Sequence, residues 1–207
     1  MIKNVVFDMG GVIAEWKPRE IIARLLPQSE RREWLYEHIM LSPEWGMMDK
    51  GEITNEQAAE RLAASAGELA GEVLRVMRGW PAQMPLIEGT PKLMRRLKGR
   101  GLGVYILSNA SDAFWQIGSV KPALALADGV LVSCETGLSK PDVRIYELFC
   151  ERFSLKAEEC LFTDDMAQNI EGAKKAGMRA LLFEGPSALE KELITLGLLQ
   201  PSQPKAF

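Results

Sequence analysis

Short apolar runs bounded by turn residues recur along the chain and predict buried β-strands. Five runs, each too short for a helix, are rich in Val, Ile, Leu or Phe: Asn4–Phe7, Gly103–Leu107, Gly129–Val132, Cys160–Phe162 and Arg179–Phe183. Such continuous runs are typical of strands buried on both faces of a parallel sheet. Helix-like stretches lie between the later runs, at Thr90–Arg100, Asp142–Phe153 and Met166–Ala176. The alternation predicts an α/β fold, a Rossmann-like parallel sheet flanked by helices.

One long segment interrupts this alternation. Residues 15–85 contain no convincing strand pattern and hold four of the five tryptophans. Their periodicity predicts helices that include Arg19–Leu26, Glu30–Met40, Asn55–Ala66 and Leu69–Arg78. We therefore expect a helical cap (residues 15–85) inserted after the first strand, and a catalytic core formed by residues 1–14 and 86–207. The final residues, QPSQPKAF, are expected to form a loose tail.

Composition and charge narrow the possible functions. The 207 residues are 47% hydrophobic and carry a net charge of −3, which favours a globular protein without a nucleic-acid footprint. No apolar run suits a signal peptide or a transmembrane helix. Three cysteines without CxxC spacing suggest reduced thiols and a cytoplasmic location. Because His38 is the single histidine, we expect it to be structural and the chemistry to be carried by carboxylates.

Polar residues follow four of the predicted strands, where an open α/β sheet binds its ligands. In chain order they are Asp8 with Gly10 and Gly11, Ser108 with Asn109, Lys140, and Asp164 with Asp165. Three converging carboxylates repel one another, and oxygen ligands of this kind favour Mg²⁺. Lys140 adds a positive charge suited to a phosphate, and the glycines allow a close backbone approach. Any one of these residues is more often structural, but together they predict a site for phosphoryl transfer.

The segments FDMGGVI, ILSNAS, LSKPD and LFTDDMAQNIEGAKKAGM resemble, in order, the four motifs of the haloacid-dehalogenase superfamily. The pattern is most similar to its sugar-phosphate branch, near the bacterial glucose-1-phosphate phosphatases. The resemblance implies a Mg²⁺-dependent phosphatase in which Asp8 forms an aspartyl-phosphate. It also implies that Mg²⁺ is held by Asp8, the carbonyl of Gly10 and Asp165, with Asp164 as a direct or outer ligand. Ser108, Asn109 and Lys140 would bind the phosphoryl group, Gly11 would lie against the substrate, and Asn169 would point back at the site.

One position departs from this resemblance. Most phosphatases of the superfamily carry a second Asp two residues after the nucleophile, and here that residue is Gly10. Such a general acid–base typically contributes about 10²–10⁴-fold to the rate. Glu15 is the candidate substitute. The absence of an acid at position 10 would also be explained by a substrate with a good leaving group. It would be explained as well if the protein binds phosphorylated ligands with little turnover.

Substrate choice is expected to lie in the cap. Trp16, Trp45, Met47 and Met48 are candidates for the pocket wall, although Trp and Met at helix contacts more often form the core, and we expect most of the four to do so. Trp16 is the strongest candidate, because it lies nearest the nucleophile in sequence and its aromatic face suits a sugar ring.

Three other functions compete with a phosphatase. A metal-independent 2-haloacid dehalogenase would share Asp8 and Lys140, but the Asp164–Asp165 pair argues against it. A low-turnover module that binds phosphorylated ligands is compatible with Gly10. A phospho-receiver domain would place its acidic pair near the first strand, not the fourth. The expected partner is a small phosphorylated metabolite, without nucleic acid or membrane, and the expected assembly is a monomer or homodimer.

Overall fold

The core of the protein is a five-stranded parallel sheet, seen in a computed structural model that describes residues 1–201. The strands are β1 (Asn4–Phe7), β2 (Gly103–Ser108), β3 (Gly129–Val132), β4 (Cys160–Asp164) and β5 (Arg179–Leu182). Their spatial order is β3-β2-β1-β4-β5, and every neighbouring pair is parallel. The predicted α/β fold is thereby confirmed. Because β1 lies at the centre, the residue that follows it has neighbours from both β2 and β4.

Ten α-helices accompany the sheet within the described residues. They are α1 (Pro18–Leu25), α2 (Arg32–Met40), α3 (Pro43–Asp49), α4 (Asn55–Ser65), α5 (Ala70–Gly79), α6 (Gly89–Gly99), α7 (Lys121–Leu124), α8 (Val143–Arg152), α9 (Ala167–Lys175) and α10 (Pro186–Thr195). Short 3₁₀ turns complete several of the connections. No helix in residues 1–201 is both long enough and apolar enough to cross a membrane.

The two faces of the sheet are covered by different helices. Val5 and Phe7 point to the face covered by α6 and α10, while Val6 points to the face covered by α8 and α9. This follows from the alternation of side chains along a strand, and it explains why the strands are apolar throughout.

Helices α1 to α5 lie between β1 and β2 in the chain and pack around a hydrophobic cluster of their own. Ile22, Leu35, Ile39 and Met77 are fully buried in it. The two connections to the sheet meet at an antiparallel bridge between Ala14 and Leu86. Residues 15–85, which we call the cap segment, are therefore joined to the sheet by two paired backbones.

Helix α3 was not among the helices named from the sequence, and it has a special position in the cap segment. Its seven residues are too few for a clear apolar period, but Ser42 caps its start and Pro43 occupies its first turn. It ends at Asp49, and Gly51 then turns the chain with a positive φ of 72°. A Cβ at Gly51 would overlap the carbonyl oxygen of Cys134, so the turn lies directly against the loop that follows β3.

Candidate active site

Lys140 is the centre of the polar cluster at the carboxyl edge of the sheet. Its ammonium lies 2.7 Å from Oδ1 of Asp8 and 2.7 Å from Oδ2 of Asp164, and it donates to the carbonyl oxygen of Leu107 at 3.1 Å. Only 1% of its side chain is exposed. Burial would lower the pKa of Lys140, but the two carboxylates outweigh this effect and raise it. Lys140 is therefore a fixed, buried cation.

Three carboxylates surround this single cation. Oxygens of Asp8, Asp164 and Asp165 lie within 4.8 Å of one another. Burial raises the pKa of Asp8 to about 7, with Asp164 adding to the rise and Lys140 opposing it. Burial and Asp164 also raise the pKa of Asp165. One lysine does not balance three acidic groups, and an oxygen-only set of this charge fits a hard divalent cation such as Mg²⁺.

Asp164 is the most constrained member of this cluster. It is fully buried and accepts hydrogen bonds from the Met166 amide at 2.8 Å and from Nδ2 of Asn169 at 3.0 Å, in addition to its ion pair with Lys140. Asn169 is positioned in turn by Tyr146, whose hydroxyl donates to its carbonyl oxygen at 2.7 Å. These contacts hold Asp164 behind Asp8 and Asp165, where it orients Lys140.

Asn109 and Ser108 differ in their surroundings. The Asn109 side chain donates to the Lys140 carbonyl and accepts from the Lys140 amide, both at 2.8 Å. It lines the cavity described below and also fixes the loop that carries the lysine. The Ser108 side chain is buried, and its hydroxyl makes a long contact of 3.5 Å to the Asn109 carbonyl. That hydroxyl therefore lacks a strong partner within the described residues.

Gly11 lies directly against one of the carboxylates of the site. It has a positive φ of 76°, and a Cβ there would overlap the carboxylate of Asp165. Its amide donates to the Ala14 carbonyl at 2.7 Å, and Gly11 is not among the residues that line the cavity. Gly11 makes room for Asp165, and its contact with the substrate stays a prediction.

A cavity of about 310 Å³ opens above these groups. The core contributes Asp8, Met9, Gly10, Asn109, Ala110, Ser111, Lys140, Asp165, Met166, Gln168 and Asn169, and the cap segment contributes Trp16, Trp45, Asp49, Trp80 and Met84. The three tryptophans contact one another, with ring centroids 5.5 to 5.6 Å apart. They form an aromatic wall opposite the carboxylates.

Two of the four cap residues named as candidates for this wall line the cavity. Trp16 and Trp45 line the cavity, whereas Met48 is buried in the cap cluster and Met47 packs against that cluster, so the two methionines belong to the core of the cap segment. Glu15 does not line the cavity: its carboxylate pairs with Lys17 at 3.1 Å. It is therefore not placed to act as the missing acid.

Three lining residues of the cap segment were missed from the sequence: Asp49, Trp80 and Met84. Trp80 lies far from Asp8 in the chain and is fixed by a 3.0 Å hydrogen bond from its indole N–H to Oδ1 of Asn55. Asp49 ends a helix that the sequence pattern did not reveal. The one available signal was the Gly51 turn beside it, which requires close packing against another part of the chain.

Comparison with known proteins shows the family of the chain. Residues 2–177 match the family model described as haloacid dehalogenase-like hydrolase. A phosphatase of Mycobacterium tuberculosis is 31% identical over 88% of this chain and 88% of its own length. A sesquiterpene phosphatase of Aspergillus oryzae is 28% identical over 86% of this chain and 88% of its own length.

Solved structures show the same fold. A haloacid-dehalogenase-family enzyme of Bacteroides thetaiotaomicron, in complex with magnesium and inorganic phosphate, has a TM-score of 0.73 at 19% identity, covering 89% of this chain and 95% of that one. An L-2-haloacid dehalogenase of Xanthobacter autotrophicus has a TM-score of 0.66 at 21% identity, covering 97% of this chain and 85% of that one.

Proposed function

The chain belongs to the haloacid dehalogenase-like hydrolase family, and from this premise we propose that it is a Mg²⁺-dependent phosphatase of a small phosphomonoester. The observation that carries the proposal is the buried Lys140 among three carboxylates at the base of a cavity. The family assignment removes the phospho-receiver alternative. The resemblance to the sugar-phosphate branch remains a prediction.

In the proposed mechanism, Asp8 attacks phosphorus and forms an aspartyl-phosphate, which water then hydrolyses. Lys140 fixes the orientation of the Asp8 carboxylate and neutralises charge on the transferring group, and the Ser108 hydroxyl and Asn109 bind the phosphoryl oxygens. Mg²⁺, when held by Asp8, Asp165 and the Gly10 carbonyl with Asp164 behind them, would supply positive charge that keeps Asp8 ionised and stabilises the phosphoryl group.

The residues that line the cavity also indicate how a substrate would be placed in it. We propose that the phosphate lies against Lys140 and that the organic group lies against the wall formed by Trp16, Trp45 and Trp80. Aromatic faces of this kind pack against sugar rings, which supports a sugar phosphate. The wall equally suits an apolar group such as a prenyl chain, and one relative is named for a sesquiterpene substrate.

The test is phosphate release from a panel of sugar phosphates, a prenyl phosphate and para-nitrophenyl phosphate, with Mg²⁺ and with EDTA. We expect Mg²⁺-dependent release, loss of activity in Asp8→Asn, and unchanged activity in Glu171→Gln, an exposed control. EDTA-insensitive halide release from a 2-haloacid would establish the dehalogenase alternative instead. Binding of phosphorylated compounds without any turnover would establish the low-turnover alternative.

A further inference from the structure

The residue two positions after Asp8 is a glycine, which supplies no acid, and Trp16 lies beside it. A Cβ built at Gly10 would lie 3.5 Å from Cβ and 3.8 Å from Cγ of Trp16, in ordinary van der Waals contact with the cap segment. A proton donor for the leaving group must come from another part of the cavity.

Asp49 is the carboxyl that the cap segment brings to this cavity. It lines the same cavity as Asp8, Lys140 and Asp165, and its own carboxylate has no hydrogen-bond or ion-pair partner among residues 1–201. Asp49 is half-buried, and an unpaired acidic group in the wall of a cavity is a candidate for a role in binding or catalysis. Asp164, by contrast, uses its oxygens on Lys140 and Asn169.

The backbone around Asp49 is fixed to the core. The Ser133 hydroxyl donates to the carbonyl oxygen of Asp49 and accepts from the amide of Ala110 at 3.0 Å, so one side chain ties the end of α3 to the loop after β2. Gly51, two residues later, packs directly on the Cys134 carbonyl. These contacts fix the backbone from which the Asp49 side chain extends, and a fixed origin favours the orientation that an acid–base group requires.

We propose that Asp49 is the general acid and base of this enzyme, in place of the acid that Gly10 lacks; the proposal rests on the phosphatase function proposed above. As Asp8 attacks phosphorus, the bond from phosphorus to the leaving oxygen breaks and that oxygen takes the proton of the Asp49 carboxyl. The Asp49 carboxylate then takes a proton from water as the water oxygen attacks the aspartyl-phosphate. The Asp8–phosphorus bond breaks, inorganic phosphate leaves, and both carboxyl groups return to their starting forms.

The protonation behaviour of Asp49 agrees with this role. Burial raises its pKa to about 7, while the charge of Lys140 acts in the opposite direction. The charged or titratable groups around it are Lys140, Asp8 and Asp165 across the cavity and Cys134 on the loop packed against α3. An acid that is partly protonated near neutral pH can both donate and accept a proton.

The experiment compares Asp49→Asn with the wild-type enzyme on two kinds of substrate in the presence of Mg²⁺. On an alkyl phosphomonoester, whose leaving group needs a proton, we expect kcat/KM to fall by about 10²–10⁴-fold. On para-nitrophenyl phosphate, whose leaving group needs none, we expect a burst of about one nitrophenol per enzyme followed by slow turnover, because hydrolysis of the aspartyl-phosphate lacks its base. Asp49→Glu should recover part of the activity, and Glu52→Gln, on the same turn, should match the wild type.

Two outcomes would overturn the role of Asp49. One is an equal loss on both substrates without a burst, which would mark a structural or substrate-binding residue. The other is unchanged activity on the alkyl substrate. Both would leave the phosphatase function intact, because it depends on the wild-type enzyme alone. If the wild type releases no phosphate from any substrate, the proposed function itself fails.

Discussion

Replacement of Lys140 by Met tests whether the buried cation holds the site together. Its ammonium has three partners, Asp8, Asp164 and the Leu107 carbonyl, and its side chain is 1% exposed. Methionine fills a similar volume but carries no charge and no donor. The variant therefore leaves two carboxylates and a carbonyl oxygen without their partner in a region that water barely reaches.

The expected loss is large. Removing one partner of a buried ion pair costs about 3–5 kcal/mol of unfolding free energy, against a total of about 5–15 kcal/mol for a typical domain. We expect the lower half of that range, because the pKa of Asp8, already raised to about 7, rises further without the lysine and protonation relieves part of the repulsion. Mg²⁺ should stabilise the variant more than the wild type, since it replaces the missing positive charge.

The assay is equilibrium urea unfolding at about neutral pH, in EDTA and in Mg²⁺, with activity as a second measurement. Lys174→Met is the matched control, because Lys174 pairs only with Glu171 on the surface and its side chain is 51% exposed. That control should change stability by no more than about 0.5 kcal/mol. A loss below about 1 kcal/mol for Lys140→Met in EDTA would refute the claim that these charges depend on one another.

Three further substitutions test separate parts of the site. Gly11→Ala should weaken Mg²⁺ binding, measured by calorimetry, because the added Cβ displaces the carboxylate of Asp165. It should also lower the free energy of unfolding by about 1–2 kcal/mol, because the residue has a positive φ. An unchanged Mg²⁺ affinity would contradict the contact with Asp165. Asp49→Asn should be more stable than the wild type above pH 7 by at least about 1.4 kcal/mol, the free energy of one pKa unit. The sign follows because the pKa of Asp49 is raised from 3.8 to about 7 by folding, which favours the protonated native state of the wild type. The stability that Asp49 gives the wild type is therefore present at low pH and lost as the pH rises through about 7. Urea midpoints of variant and wild type that do not diverge with rising pH would rule this out. Trp80→Phe should lower the free energy of unfolding by about 1–3 kcal/mol, because it leaves the buried side-chain oxygen Oδ1 of Asn55 unpaired. An unchanged free energy of unfolding, measured with heat or urea, would show that the hydrogen bond is dispensable.

The sheet and the polar cluster could be predicted from the sequence because both depend on local patterns. A strand buried on both faces is apolar throughout, and polar residues at the ends of parallel strands meet at one edge whatever the rest of the chain does. The proximity of Asp8, Lys140 and Asp164 follows from these two rules. The contact of Gly11 with Asp165 could not be predicted in this way, because it depends on the positive φ of the turn after β1.

The cap contribution could not be predicted in the same way. Which face of a short helix meets the cavity depends on how helices pack, and distance in the sequence is a poor guide to it. Glu15 is close to Asp8 in the chain but pairs with Lys17, whereas Asp49 is distant and lines the cavity. Met48 and Asp49 are adjacent on α3, yet one is buried in the cap cluster and the other faces the site.

The position of Asp49 has a consequence for how catalysis depends on the cap segment. The nucleophile and Lys140 belong to the sheet, while the proposed acid belongs to α3 and is fixed to the sheet by the Ser133 hydroxyl and the close packing of Gly51. In a phosphatase with its acid two residues after the nucleophile, both groups stay together however the cap moves. Here the complete set exists only while α3 packs against the loop after β3, so weakening that contact should lower the rate of proton transfer without disturbing Asp8.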